Sequence, residues 1–494
     1  MKYLTIILFF SLVLSLSTNT IFAKNTSRKQ ISNSIQTKTI KPKNNSIPQN
    51  IAFLLGQART SAPEFYTDAL IRIVESKKIK DTKINIQLLE EAFEAANHVQ
   101  FKLKKTVFKS INTDTRTAFL DGAYETNLDK ISLQCRIINV LLDIDKNIAK
   151  KLFSKISFAN DIKEPLSCQD SVIYDVTIYY KTAQKIAIQC FTPKQIENRH
   201  RLNFVQDLIK NMVSASELNH ATILIKEFNW KPLELEILLS SYIDKLAHLD
   251  NDYRTFIASE YRFKNTQSIY ELASFCEKKL VPSKYLVQDY KLYILRHLSR
   301  AICTTSYTKQ EVSNIISRAN NRLFINEPIV LEELKLQEEL FREENVFFSS
   351  DKSKSVFTDA RKFLLAREKA ISDADYDKTK IEEIYSKLLE NIRSWKVTDE
   401  PKEEDYLHQK SLIYKELINI NQIEAQKEEL LFEYLLFLRD FNLEKINRVE
   451  WFIHLKFALE MIKVPENRAK IIKLLDRSQI RVADLYKSLI VENL

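Results

Sequence analysis

The sequence predicts an all-α fold, an irregular α-solenoid or α-superhelical stack of helical hairpins that could divide into two helical domains, on three observations. Apolar residues recur at three- and four-residue spacing through most of the chain after residue 50, the period of a helix with one buried face. Gly56 and Gly122 are the only glycines in 494 residues, where average usage is about 7%. Tight β-hairpin turns of the primed types lean on glycine, so an antiparallel β-rich domain of any size lacks its turns. Finally, 45% apolar and 28% charged residues suffice for a packed core.

The chain opens MKYLTIILFFSLVLSLSTNTIFAKNTS, with one basic residue at Lys2, an apolar run from Tyr3 to Leu16, and the small residue Ala23 before Lys24. This reads as a secretory signal peptide over residues 1–23, cleaved near Ala23. The run is shorter than the roughly 20 apolar residues that span a bilayer. No later stretch is long and apolar enough to span either, and no cysteine at the cleavage point offers a site for acylation. A periplasmic or extracellular location after cleavage is therefore expected.

Residues 24–50, KNTSRKQISNSIQTKTIKPKNNSIPQN, hold few apolar residues, two prolines and no acid, the composition of a disordered basic linker. Lys2 and the linker's six basic residues carry seven of the net +9 charges, which leaves +2 for residues 51–494. A nucleic-acid binder concentrates basic charge on its folded face, so nucleic acid is not an expected partner. The tail itself has the charge to meet anionic lipid or wall polymer.

Helices are expected at 50–59, 64–76 and 84–98, with Pro63 placed where a proline starts a helix without losing a bond. In ISLQCRIINVLLDIDKNIAKKLFSKI, residues 131–156, helical spacing occurs twice, and Asp143 and Asp145 between the halves are positioned to cap the second. That is a helical hairpin. Further helices are expected at 170–190 and 195–212, then a second hairpin at 215–246 with Trp230 and Lys231 at its turn and Pro232 starting its second helix. Others follow at 266–278, 283–303, 310–323 and 329–344. The polar run SSDKSKS, 349–355, is the expected internal break, separating a helical hairpin domain (51–345) from a C-terminal helical domain (356–494). Beyond it, helices are expected near 357–370, 378–396, 403–420, 425–440, 447–463 and 465–491. Ala149 and Phe153 have the small-then-aromatic spacing of a tetratricopeptide unit, but no strict period runs through the chain.

The scarcity of glycine removes dinucleotide fingerprints, P-loops and kinase-type phosphate covers, whose backbones must approach a phosphate. No cofactor is expected. A carboxylate stands three residues before histidine at Glu197/His200, Glu217/His220 and Asp405/His408. The first two pairs would lie roughly 18 Å apart on antiparallel neighbours, so no metal site is expected. Asp373, Asp375 and Asp377 open a calcium-loop pattern that fails at Lys378, where glycine is needed, and at Ile384, where a glutamate should close it. H-E-x-x-H and G-x-S-x-G are absent, and so is the combination of a Glu-Ser and a Gly-Leu-Met-Gln element that marks superhelical lytic transglycosylases, since Glu75–Ser76 has no Gly-Leu-Met-Gln after it. No enzymatic activity is expected, and Asp114, Asp121, Asp170 and Asp175 are the working acids of the alternative in which the helical scaffold is an enzyme.

Five cysteines in an exported chain leave at least one unpaired. Helix lengths disfavour Cys276 with Cys303 and Cys168 with Cys190, whereas the chain returns to the level of Cys135 before reaching Cys168. Cys135 with Cys168 is the expected disulfide, with buried thiols as the alternative. CQDSVIYDVTIYY, 168–180, is the densest aromatic run, and Asp170, Tyr174, Asp175 and Tyr179 are candidates to line a groove, against ordinary core packing.

The runs DTRTAFL, SLQCR, CQDSVIYDV, YLHQK and EWFIH resemble those of an uncharacterised family of exported bacterial all-helical proteins. The resemblance implies export and a helical fold and carries no activity. The expected function is that of an exported soluble scaffold presenting a concave helical face to another protein or an envelope component.

Overall fold

Short polar side chains start the helices. Asp81 accepts hydrogen bonds from the Lys83 and Ile84 amides at the head of one helix, Asp129 from Ser132 at another, and Asp145 from Asn147 and Ile148 at a third. Each cap is worth about 1 kcal/mol. Pro63 and Pro232 each occupy a first helical position, where the missing N–H costs nothing.

The computed structural model describes residues 47–100, 105–106, 127–157, 171–172, 176–249, 264–299, 309–330, 350–372, 378–421, 424–461 and most of 481–489. The described chain is helical apart from one antiparallel ladder of two short strands, β1 (Lys105–Thr106) and β2 (Ser171–Val172), with Lys105 opposite Val172. The helices are α1 (Gln49–Ala58), α2 (Pro63–Glu75), α3 (Thr82–Ala96), α4 (Lys130–Leu142), α5 (Lys146–Phe153), α6 (Val176–Gln189) and α7 (Pro193–Glu197). Next come α8 (His200–Lys210), α9 (Glu217–Lys226), α10 (Pro232–His248), α11 (Lys264–Lys278), α12 (Lys284–Ser299) and α13 (Lys309–Arg322). The last group is α14 (Asp351–Ser372), α15 (Lys378–Ser394), α16 (Glu403–Ile420), α17 (Glu424–Arg439) and α18 (Arg448–Met461). The fold is all-α, as its composition predicts.

Packing alternates along the chain. α4 packs on α5 and on α6, α6 on α9, α9 on α11, and α11 on α13; on the other side α8 packs on α10 and α10 on α12. Side chains tie these neighbours in register: Arg296 on α12 donates to the carbonyls of Ala247 and Leu246 at the end of α10 (2.8 and 3.0 Å). In the last group α14 packs on α15 and α16, and α17 on α16 and α18.

Two details depart from the sequence reading. The helix expected over 195–212 is broken into α7 and α8 at Arg199, which takes a left-handed φ of 61°. Thr192 and Gln195 close a reciprocal cap on α7, so this short helix is locally complete and α8 starts afresh. Of the polar run 349–355, Ser350 caps α14 and the residues from Asp351 onward form its first turns, ahead of the expected start at 357. The Ser350 and Ser353 hydroxyls accept from each other's amides (3.1 and 3.0 Å), so the polar residues serve as a helix cap.

Residues Ser46–Leu494 form one compact unit. The spans 51–345 and 356–494 meet in a buried clasp at α2 and α18. Phe65 lies 5.1 Å from Phe452 and 5.9 Å from Tyr486, and the latter two rings are 4.5 Å apart. Around these rings, Arg448 pairs with Glu64 (2.9 Å), and Gln100 donates to the Ile446 carbonyl while accepting from the Arg448 amide. Asp68 accepts from Arg136 (2.6 Å), Arg72 (2.8 Å) and the Tyr486 hydroxyl (2.9 Å).

Burial also perturbs two amines in the last group. The Lys410 ammonium donates to the Trp395 carbonyl (2.8 Å) and the Tyr406 hydroxyl (3.0 Å), and burial pushes its pKa down to about 8. Lys415 is likewise pushed down to about 8 by burial. Between about 8 and the ordinary lysine value of 10.5, the unfolded chain holds protons that the folded chain has released, so stability rises with pH. Urea midpoints at pH 7.5 and pH 9.5 (roughly the two sides of that window) should show this rise, and Lys410→Met should flatten part of it. An unchanged slope in the variant would contradict the assignment.

Candidate interaction face on the parallel helices

The alternating packing leaves each of α6, α9, α11 and α13 with one stripe clear of the core, and polar side chains join those stripes from helix to helix. Asn139 on α4 donates to the Thr182 hydroxyl on α6 (2.8 Å), and Lys185 on α6 donates back to the Asn139 carbonyl oxygen (2.8 Å). Between α6 and α9, the Tyr180 hydroxyl donates to Glu217 (3.0 Å), whose other oxygen accepts the Val213 and Ser214 amides, and His220 stacks on the Tyr180 ring at 5.8 Å. From α9 to α11, Ser268 donates to Asn219 (2.6 Å) and Lys226 pairs with Glu271 (2.6 Å). These two links run in the same direction along both helices, so α9 and α11 are parallel. Finally Arg322 on α13 donates to the Gln267 amide oxygen and lies 5.9 Å above the Tyr270 ring.

What stands outward from this ladder is a mixture of apolar and basic groups. Ile188, Ile223 and Tyr270 are 51%, 45% and 43% exposed. Lys181, Lys185 and Arg322 stand exposed among them. On α6 the outward residues Lys181, Lys185 and Ile188 follow helical spacing, as do His220 and Ile223 on α9 with Glu227 just past its end. The register set by Asn219–Ser268 and Lys226–Glu271 brings Ile223 level with Tyr270. The Lys226 ammonium and the Gln267 amide, both donating to Glu271, hold its carboxyl below the usual range.

The sequence-derived candidates fall elsewhere. Tyr179 does not line a groove: it is buried, stacked on Phe153 at 5.0 Å and edge-on to Tyr180 at 5.4 Å, because the α6 stripe that includes it faces α5. Asp170, Tyr174 and Asp175 lie outside the described residues, as do Asp114 and Asp121. Cys135 is buried on α4, and its expected partner Cys168 lies outside the described residues. Cys276 is a buried thiol whose pKa burial pushes up to about 12, and burial also raises that of Cys190.

Members of two of the three carboxylate–histidine pairs have other tasks. Glu217 caps backbone amides at the start of α9, and His220 stacks on Tyr180. His408 turns to Glu450 on α18 (2.6 Å), and this link joins α16 to α18 inside the core. Nearby His454 is fully buried, and burial, then the charges of Lys415 and His408, keep its pKa well below the ordinary value. Among the described residues no three His, Cys, Asp or Glu side chains gather in a metal-holding group. Asp373, Asp375 and Asp377 lie outside the described residues, while Lys378 and Ile384 belong to α15.

A groove of about 650 Å³ runs between α14 and α15. Lys354, Lys362 and Lys387 are matched in it by Asp351, Asp359 and Glu390, so it presents no net charge to select a ligand. No described helix is long and apolar enough to cross a membrane. No family model, curated protein or solved structure matches the chain.

Lys181, Lys185, Ile223, Tyr270 and Arg322 were not singled out by their sequence pattern. Each sits in an ordinary amphipathic helix, and only the pairing of α6, α9, α11 and α13 brings the five onto one face.

Proposed function

We propose that this chain is an exported helical scaffold that holds a partner protein or envelope component on the face formed by α6, α9, α11 and α13. The observation that carries the reading is the side-chain ladder itself. It fixes four helices in register through Asn139, Glu217, Glu271 and Gln267, yet leaves Ile188, Ile223 and Tyr270 exposed above it. A surface whose only task is solvation needs neither a rigid frame nor unburied large apolar side chains; a recognition surface uses both. Alternating contact between successive helices, with one stripe of each left clear, also supports a solenoid-like stack, an architecture that works by presenting an extended surface. The opening apolar run and the basic linker of residues 24–50 support export.

Capture from an envelope extract tests this, with residues 24–494 and 51–494 as parallel baits and retained proteins identified by mass spectrometry. The expected result is a specific partner held equally by both baits. Retention through residues 24–50 alone would overturn the reading in favour of a tail that binds anionic lipid or wall polymer.

A further inference from the structure

Charge and apolar groups alternate on the α6–α13 face in a way that specifies the chemistry of its partner. Four cations, Lys181, Lys185, Lys226 and Arg322, share it with two carboxylates, Glu227 and Glu271, and Glu271 is already engaged by Lys226 and Gln267. Among the described residues no carboxylate pairs with Lys181 or Lys185; the Lys185 ammonium is held by Asn139 through a neutral oxygen at 2.8 Å. A neutral hydrogen bond aims an ammonium without cancelling its charge. Arg322 is held by the Gln267 amide and the Tyr270 ring, and its charge also acts on Glu271, whose carboxyl it helps to hold low. Between these cations stand Ile223 and Tyr270, half-exposed and level with each other.

Resting on the scaffold reading above, we propose that the ligand of this face is an extended acidic peptide segment carrying apolar side chains. Its carboxylates meet Lys181, Lys185 and Arg322, and its apolar residues cover Ile223 and Tyr270. The dimensions agree: four neighbouring helices at about 9 Å spacing present about 27 Å, which about eight extended residues cover. A nucleic acid would use the cations but leaves Ile223 without an apolar counterpart. The acidic peptide uses both.

Fluorescence anisotropy of labelled peptide pools of about ten residues tests this against residues 24–494. One pool mixes Asp and Glu with Leu, Phe and Tyr, the second replaces the acids with Asn and Gln, and an oligouridine probe stands beside them. The acidic pool should bind, the amide pool should bind about tenfold more weakly, and added salt should weaken the acidic pool alone. Lys185→Glu with Arg322→Glu should cost about tenfold, and the milder Lys185→Gln with Arg322→Gln should cost less while keeping the fold. Tyr270→Ser should weaken binding without changing its salt dependence. Equal binding of the amide pool, stronger binding of oligouridine, or no effect of the charge reversal would overturn the proposal. The two failures are distinguishable. A captured partner whose retention ignores the charge reversal sinks the acidic peptide and keeps the scaffold, whereas retention through residues 24–50 alone sinks the scaffold and the acidic peptide with it.

Discussion

Replacing Asp68 with asparagine should cost the fold about 3–5 kcal/mol, read as a drop in the urea midpoint of unfolding. The side chain is 1% exposed and holds three donors from three places in the chain: Arg72 on its own helix, Arg136 on α4, and Tyr486 beyond α18. Removing the charge leaves two guanidinium groups crowded together without their common acceptor. Burial raises the Asp68 pKa, but Arg136 and then Arg72 outweigh it and hold the carboxyl below its ordinary range. The sign for pH follows. A carboxylate depressed in the folded state contributes stability that is present above the unfolded value and lost as pH falls through the folded one. Wild-type protein should therefore lose stability below the ordinary carboxylate range more steeply than Asp68→Asn. Glu64 provides the contrast, since burial raises its pKa more than Arg448 lowers it. Its ionised form is held at a cost, so Glu64→Gln should lose much less than Asp68→Asn. Equal losses at the two positions would contradict the description of the clasp.

Trp451→Ala should cost a similar amount, about 3–5 kcal/mol, for a different reason. Trp451 is fully buried on α18, and its indole N–H donates to the Leu438 carbonyl near the end of α17 at 2.9 Å. Truncation empties the space between these helices and removes the indole's hydrogen bond to that carbonyl. Phe432→Ala, at a position 37% exposed on α17, serves as the control and should cost less than about 1 kcal/mol. A loss at Trp451 no larger than at Phe432 would show that the α17–α18 contact does not bear on global stability.

Much of this architecture was legible in the sequence because it is local. The caps at Asp145 and the prolines at 63 and 232 act within one turn, and the expected hairpins 131–156 and 215–246 appear as α4–α5 and α9–α10. Helix bounds such as 403–420 follow directly from apolar spacing. Arg199 escaped because a left-handed arginine has no sequence signature. The start of α14 at Asp351 rather than 357 escaped because cap residues and loop residues are the same residue types.

The clasp and the face were illegible for a different reason. Asp68 and Tyr486 are 418 positions apart, and nothing in either neighbourhood names the other. Tyr179 illustrates the converse, an aromatic in a conspicuous run whose helix happens to turn it toward Phe153. Lys185 and Arg322 read as ordinary solvated residues until α6 and α13 are placed on one side of the stack.

The central claim is that the α6, α9, α11 and α13 stripe is where this protein meets its partner. Hydrogen exchange of residues 24–494, free and with the captured partner bound, tests it most directly. The account predicts added protection concentrated on α6, α9 and α11 around Lys185, Ile223 and Tyr270, with α14–α18 unchanged. Protection confined to α14–α18, or to residues 24–50, would contradict it.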